Sequence, residues 1–243
     1  VDRAGAVLSD GTELNRNRII AMMAAILLRE HPGTTIVTDS ITSTGLAAFI
    51  RKHGGVHHRF KRGYRNVINE SMRLNREGHD SQLAMETSGH GALKENCFLD
   101  DGAYLVTRLL IELARAKKEG YTLESLIADL AEPAESKEFR MNILVPDFKA
   151  YGQKIIDELN VYAASQPGWS VAPDNFEGVR VNLDKAHGDG WFLLRLSLHD
   201  PLIPLNIESD SVGGVRQIAA ELAPFLRPFD QLDTSALLAF AGC

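Results

Sequence analysis

Helical and strand-like segments alternate between Leu14 and Gly102, and this alternation limits the possible folds of the chain more than any other feature. Short β-branched or apolar runs indicate strands, and helices of roughly 10 to 15 residues between such runs are typical of βαβ units. The alternation therefore predicts an α/β domain with a βαβ-type mixed sheet. The predicted helices are residues 15–29, 44–52, 65–76 and 103–118, and the predicted strands are residues 34–38, 56–60 and 82–85.

The pattern changes after Glu132-Pro133, which we interpret as a linker. Mostly sequential strands flanked by helices predict a smaller α+β domain with an antiparallel sheet. The predicted strands are residues 139–145, 169–172, 178–183, 191–197 and 202–209, and the predicted helices are residues 147–165 and 211–226. We expect residues 1–10 to be the remnant of a preceding domain, residues 11–132 the α/β domain, and residues 133–243 the α+β domain, with a tail at 227–243 that has no predicted structure.

Composition excludes several classes of partner. The net charge of −6 disfavours nucleic acid as a partner of the whole chain. No apolar run approaches the roughly 20 residues that cross a bilayer, so we expect no membrane partner. Two cysteines without CxxC spacing make a disulfide scaffold improbable and predict a cytoplasmic protein. Because the chain starts at Val1 without an initiator methionine, we expect it to be part of a longer protein.

The segment 86–90, Glu-Thr-Ser-Gly-His, follows the third predicted strand. Ligands of open α/β sheets bind beyond the carboxyl ends of the strands. The carboxylate of Glu86 and the hydroxyl of Ser88 suit two adjacent sugar hydroxyls, and Gly89 lets a ligand approach the backbone. The alternative is a polar turn in which Ser88 bonds to its own backbone, and local evidence alone favours that alternative.

Two other groups of residues suit an anion. Arg195 has a planar fork that matches phosphate, and Ser197 adds a hydroxyl donor at the end of a predicted strand. Residues 61–65, Lys-Arg-Gly-Tyr-Arg, place three cations at the start of a predicted helix, where the helix N-terminus also favours an anion. The alternatives are a solvated arginine before an Asp-Pro turn and a solvated basic loop.

In their order and separation, these three groups resemble the motifs of the phosphohexomutase superfamily, which comprises phosphoglucomutases and phosphomannomutases. The family has four domains, and its third domain carries a sugar loop of glutamate, any residue, serine, glycine and histidine. An aspartate-glycine pair and a helix follow that loop. The matching residues are Glu86, Ser88, Gly89 and His90, followed by Asp101-Gly102.

The fourth domain of the family carries a phosphate loop with the sequence Arg-Pro-Ser-Gly-Thr-Glu-Pro. Arg195, Ser197 and Pro201 match this loop. Leu198 and His199 replace the usual glycine and threonine, which changes the backbone cradle, although His199 retains a donor for phosphate.

The opening residues resemble the end of the family's metal loop, in which three aspartates alternate with other residues before an arginine. Asp2 and Arg3 match its last two positions. The resemblance therefore implies that the first two domains, including the catalytic phosphoserine, are missing from this chain.

The resemblance implies interconversion of hexose 1-phosphate and hexose 6-phosphate, of glucose or mannose, through a phosphoserine and a hexose 1,6-bisphosphate that serves as intermediate and activator. It also implies Mg²⁺. This chain alone would then be inactive, and its partners would be the hexose phosphate and the missing N-terminal domains. The implied roles are metal binding by Asp2, catalysis by Arg3, His90 and Arg65, sugar binding by Glu86 and Ser88, and phosphate binding by Arg195, Ser197 and His199.

Two other functions stay open at this point. The altered phosphate loop is compatible with a non-catalytic module that binds a sugar phosphate, and the polar loops are compatible with an unrelated α/β protein. The sequence does not indicate which hexose is preferred or which oligomeric state the protein adopts.

Overall fold

Residues 2–197 and 200–242 are described by a computed structural model. The chain forms two compact units, residues 1–131 and 132–243. The first unit contains a mixed sheet with helices and the second an antiparallel sheet with helices, so the predicted fold class is confirmed. Within the described residues, each helix is too short or too polar to span a bilayer.

The first unit contains a small hairpin and a four-stranded sheet with four helices. Its elements are β1 (Ala6–Val7), β2 (Glu13–Leu14), α1 (Arg16–Glu30), β3 (Thr35–Asp39), α2 (Thr44–Lys52), β4 (Val56–Phe60), α3 (Tyr64–Arg76), β5 (Ser81–Met85), β6 (Gly91–Leu93) and α4 (Gly102–Glu119).

The four-stranded sheet has the order β4-β3-β5-β6. β3 is parallel to both β4 and β5, whereas β6 runs antiparallel to β5. Every residue of β3 and β5 is buried, as is typical of parallel strands that have helices on both faces. The carboxyl ends of β3, β4 and β5 therefore meet at one edge of this sheet.

Helices cover both faces of the sheet. Successive side chains of a strand point to opposite faces, and here both faces carry apolar side chains that pack against helices. On one face, Leu83 and Met85 of β5 belong to the same apolar cluster as α1. On the other face, Ala84 packs in a cluster with Val67 of α3. All ten residues from 19 to 28 of α1 are buried, since this helix is apolar on every side and is enclosed by protein.

The second unit contains a five-stranded sheet and three helices among its described residues. Its elements are β7 (Glu135–Asn142), α5 (Phe148–Ala164), β8 (Trp169–Val171), β9 (Val179–Leu183), β10 (Gly190–Leu194), β11 (Leu202–Ser209), α6 (Gly214–Leu226) and α7 (Ser235–Ala241).

All strand pairs of the second sheet are antiparallel, in the order β7-β11-β10-β9-β8. Alternate residues of the strands form one apolar core with α5 and α6. The strand residues in this core include Phe139, Val181, Phe192, Ile203, Leu205 and Ile207.

Several predicted boundaries were wrong. The strand predicted at 139–145 is β7, which begins at Glu135 and ends at Asn142 because it pairs with β11 along its whole length. The strand predicted at 191–197 ends at Leu194. Three strands and one helix were missed: β1, β2, β6, and α7 in the tail.

We expect the substitution Leu205→Ala to destabilise the second unit by about 2–5 kcal/mol, because this side chain is fully buried in its core. Urea unfolding followed by tryptophan fluorescence measures this effect, since Trp169 and Trp191 both lie in the second unit. Leu144→Ala is the control, because Leu144 is 62% exposed. A loss of less than 1 kcal/mol for Leu205→Ala would contradict the expected packing.

Candidate functional site

The carboxylate of Glu86 lies at the edge where the parallel strands end. It directly follows β5, and its residue is 4% exposed. Its Oε1 accepts a hydrogen bond of 2.6 Å from the backbone N–H of Gly63, which directly precedes α3. This hydrogen bond connects the loop after β5 to the start of α3.

Residues 86–90 form a tight turn. The N–H of Glu86 donates to the carbonyl of His90 at 2.9 Å, and the N–H of Gly89 donates to the carbonyl of Glu86 at 3.0 Å. The hydroxyl of Ser88 donates to Oε2 of Glu86 at 3.2 Å. Ser88 thus bonds to the neighbouring carboxylate, and the two groups predicted to bind sugar lie side by side.

A second buried carboxylate, that of Asp39, supports this turn from the end of β3. Its oxygens accept from the N–H of Thr87 at 3.2 Å and from the hydroxyl of Thr87 at 2.8 Å. Burial and the nearby charge of Glu86 raise the pKa of Asp39 to about 6, although Thr87 and Arg62 act in the opposite direction. The site therefore contains two neighbouring acidic groups that are both buried.

The ring of His90 contacts three side chains. Its Nε2 lies 3.0 Å from Nε of Arg3, and its Nδ1 lies 2.7 Å from Oδ2 of Asp100. Tyr64 stacks on the ring with a centroid distance of 4.9 Å and an interplanar angle of 17°. His90 is 7% exposed, so protein covers most of the ring.

Residues 3 and 4 lie beside the turn. Arg3 forms a β-bridge with His90, and the N–H of Ala4 donates to the carbonyl of Gly89 at 2.9 Å. Two glycines permit this approach: a Cβ at Gly89 would lie 2.5 Å from the carbonyl oxygen of Ala4, and one at Gly102 would lie 2.5 Å from that of Arg3. Gly89 also has a φ of +93°, which disfavours other residues.

The basic residues of segment 61–65 have different surroundings. Arg65 is exposed, and its Nε donates to the hydroxyl of Tyr64 at 3.1 Å. Arg62 is the cation near the buried carboxylates, with Nε at 3.9 Å from Oδ2 of Asp39. Of this segment, the structure brings Arg62, Gly63 and Tyr64 to the turn.

Asp2, His90 and Asp100 form a group whose possible ligand atoms lie within 4.8 Å of one another. Mg²⁺ prefers oxygen ligands and usually takes one or two carboxylates, so the exposed carboxylate of Asp2 suits it. Both ring nitrogens of His90 are already hydrogen-bonded, one of them to the cation Arg3. Asp2 therefore fits one ligand position, and the described residues around it do not complete the set.

The other predicted residues belong to the second unit, in the loop between β10 and β11. Arg195 is largely buried, and its Nε lies 3.9 Å from Oε1 of Glu177. The hydroxyl of Ser197 accepts from the N–H of Asp200 at 3.2 Å and closes a turn. His199 lies outside the described residues.

Tyr64 and Asp100 contact His90, and Asp39 bonds to Thr87 between Glu86 and Ser88; none of the three was among the predicted site residues. Asp39 had a signal in the sequence, because it stands at the carboxyl end of a strand beside the strand that precedes Glu86. Asp100 had a weaker signal, since it precedes the Asp101 that caps α4. Its pairing with His90 depends on the packing of the loop after β6.

Residues 15–133 match the family model for the alpha/beta/alpha domain III of phosphoglucomutase/phosphomannomutase. This match contains Asp39, segment 61–65 and the turn at 86–90, and relatives and a solved structure extend the likeness over most of the chain. The chain belongs to the phosphohexomutase superfamily. The predicted family is thus confirmed.

The similar phosphohexomutases are longer than this chain. A phosphomannomutase/phosphoglucomutase from Pseudomonas putida is 32% identical over 219 residues, covering 89% of this chain and 43% of that protein. A phosphoglucomutase from Neisseria meningitidis is 29% identical over 218 residues, covering 89% and 44%. A family structure from Burkholderia thailandensis has a TM-score of 0.75 at 27% identity, covering 96% and 46%. The chain spans about half the length of the curated relatives it matches.

More distant structures share the phosphohexomutase fold. Two structures of an N-acetylphosphoglucosamine mutase from Aspergillus fumigatus have TM-scores of 0.59 and 0.55 at 14% identity. One was solved with GlcNAc-6P and magnesium, and the other with glucose 1,6-bisphosphate. At this identity the likeness concerns the fold alone.

The raised pKa of Asp39 predicts a pH dependence of stability in this phosphohexomutase chain. The carboxyl pKa is about 6 in the folded state, against an ordinary value of 3.8. Between these values the folded state holds a proton that the unfolded chain has released, so the contribution of Asp39 to stability is lost as the pH rises from about 4 to about 6. A shift of about two units corresponds to about 3 kcal/mol.

Asp39→Asn removes this titration, so the difference in free energy of unfolding between the wild type and this variant should change by up to about 3 kcal/mol over that interval. Urea unfolding followed by circular dichroism measures it, with tryptophan fluorescence identifying the transition of the second unit. Asp10→Asn, at an exposed carboxylate of the first unit, is the control. A difference that stays constant from pH 4 to pH 6 would show that Asp39 is not protonated as described.

Proposed function

We propose that this chain supplies the sugar- and phosphate-recognition domains of a phosphohexomutase that interconverts hexose 1-phosphate and hexose 6-phosphate. Glucose and mannose phosphates are the proposed substrates. The observation that carries this proposal is the pair of Glu86 and Ser88, whose carboxylate and hydroxyl lie 3.2 Å apart at the carboxyl edge of the sheet. Membership of the superfamily and the names of the relatives support the same reaction.

Sugar recognition is assigned to residues 11–132. Oε1 and Oε2 of Glu86 each accept one protein hydrogen bond, and a carboxylate has about four lone-pair sites, so acceptor capacity remains for sugar hydroxyls. The Ser88 hydroxyl both donates and accepts. Such groups bind a pair of adjacent hydroxyls in either orientation of the sugar, as a mutase requires when the bisphosphorylated intermediate reorients.

Phosphate recognition is assigned to residues 133–243. Arg195 is the proposed anchor of the phosphate that does not react, because its planar fork suits phosphate oxygens and its side chain is held by its surroundings at 12% exposure. Ser197 and His199 are proposed to add donors. Burial of Arg195 beside Glu177 keeps the guanidinium in one place before the ligand arrives.

In the centre, Arg3 is proposed to neutralise the transferring phosphoryl group. His90 is proposed to act through Arg3, because both of its ring nitrogens are already hydrogen-bonded. Arg65 is proposed to give electrostatic support. The phosphoserine is assigned to the half of the relatives that this chain does not span. When bound, Mg²⁺ supplies further charge neutralisation, with Asp2 as one ligand. Phosphoryl transfer of this kind depends on positioning and charge more than on covalent chemistry of the protein.

The test uses the complete protein encoded by the gene that contains this sequence. With Mg²⁺ and a trace of glucose 1,6-bisphosphate, we expect conversion of glucose 1-phosphate and mannose 1-phosphate to the 6-phosphates, measured by coupled enzyme assay. Binding of these sugar phosphates in calorimetry without turnover would replace this proposal by a non-catalytic sugar-phosphate-binding module. Neither turnover nor binding would reject both.

In that complete protein, we expect Glu86→Gln to lower kcat/KM about 10- to 100-fold. The amide retains one acceptor for the N–H of Gly63 but loses the charge that strengthens a hydrogen bond to a sugar hydroxyl, which is worth about 1.5–3 kcal/mol. Glu119→Gln, at an exposed carboxylate at the end of α4, is the matched control and should leave kcat/KM unchanged. Equal activity of the Glu86→Gln variant and the wild type would contradict the assignment of Glu86 to the sugar site.

A further inference from the structure

A chain of hydrogen bonds joins Asp100, His90 and Arg3. Oδ2 of Asp100 lies 2.7 Å from Nδ1 of His90, and Nε2 of the same ring lies 3.0 Å from Nε of Arg3. The middle member is buried, whereas Arg3 is exposed. The series therefore leads from a half-buried carboxylate through a buried ring to a cation that faces solvent.

The direction of these hydrogen bonds follows from chemistry alone. A guanidinium only donates, so Nε2 of His90 must accept from Arg3. A ring nitrogen that accepts carries no hydrogen, so the ring is neutral and its hydrogen resides on Nδ1. Nδ1–H then donates to the carboxylate of Asp100. One tautomer of His90 is compatible with both contacts.

The carboxylate of Asp100 is itself fixed. Its Oδ1 accepts from the N–H of Gly91 at 3.2 Å, which leaves Oδ2 directed at the ring. Tyr64 stacks on one face of His90 and limits its rotation. Neither the carboxylate nor the ring can turn away without losing a contact, so these contacts together set the tautomer.

We propose that Asp100 is a positioning residue that holds His90 in the Nδ1–H tautomer and thereby orients the guanidinium of Arg3. With Nε–H engaged by the ring, the four N–H groups on the two Nη atoms of Arg3 remain for an anion. Those groups form the edge of the fork that binds phosphate in a bidentate manner. The catalytic consequence rests on the proposed function, whereas the tautomer does not.

The tautomer is measured directly in the wild-type chain. The ¹⁵N chemical shifts of the ring nitrogens distinguish a nitrogen that carries hydrogen from one that does not, and the His90 signals are those lost in the His90→Asn variant. We expect a protonated Nδ1 and an unprotonated Nε2. A ring with its hydrogen on Nε2, or with hydrogen on both nitrogens, would overturn the proposal without any further variant.

Asp100→Asn tests the cause. The amide oxygen of Asn at this position keeps the hydrogen bond from the N–H of Gly91. Its NH₂ group then faces Nδ1 of His90, which must accept. The ring hydrogen should move to Nε2, and Arg3 should lose its acceptor. Asp101→Asn is the matched control, since the neighbouring carboxylate caps α4 through the N–H of Tyr104 at 3.0 Å. An unchanged tautomer in Asp100→Asn would overturn the role of Asp100.

Kinetics of the complete protein test the catalytic consequence. Asp100→Asn should lower kcat about 10- to 100-fold with little change in KM, the factor expected when one hydrogen bond to a charged group is lost. Wild-type kcat in this variant would overturn the positioning role while the proposed function survives. An inactive wild-type protein would overturn the proposed function, and the ring tautomer would still decide whether Asp100 orients His90.

Discussion

The hydrogen bond from the N–H of Gly63 to Glu86 holds the site together. A carboxylate that leaves water needs strong partners, and here a backbone group at the start of α3 supplies one at 2.6 Å. Asp39 is buried beside it and takes two hydrogen bonds from Thr87. The two acids repel each other, so both depend on backbone groups that only this packing of the strand ends provides.

Local pattern was sufficient for most of the fold. The ends of α1, β3 and α2 were predicted within one or two residues, because the apolar spacing or β-branched composition of each segment is enough to indicate its structure. β6 has three residues and exists because β5 offers it a partner. The same holds for β7, whose ends are set by pairing with β11 and not by its own composition.

The site residues that directly follow a strand could be predicted from the order of strands and helices. Glu86 was found because it stands at the end of a strand, and the same rule applies to Asp39. Side-chain direction around a helix start was not predictable: Tyr64 and Arg65 are adjacent, yet one stacks on His90 and the other is exposed. Asp100 is ten residues from His90, and the packing of β6 and of the segment after it brings the two together.

The contact between residues 3–4 and the turn at 86–90 has a mechanical consequence. Ala4 is bonded to the backbone of Gly89, and Arg3 to the ring of His90. A displacement along residues 2–4 would lengthen both hydrogen bonds together and disturb the turn that carries Ser88. Residues 3 and 4 are therefore mechanically coupled to the turn, so a displacement of residues 2–4 would reach the residues proposed to bind sugar.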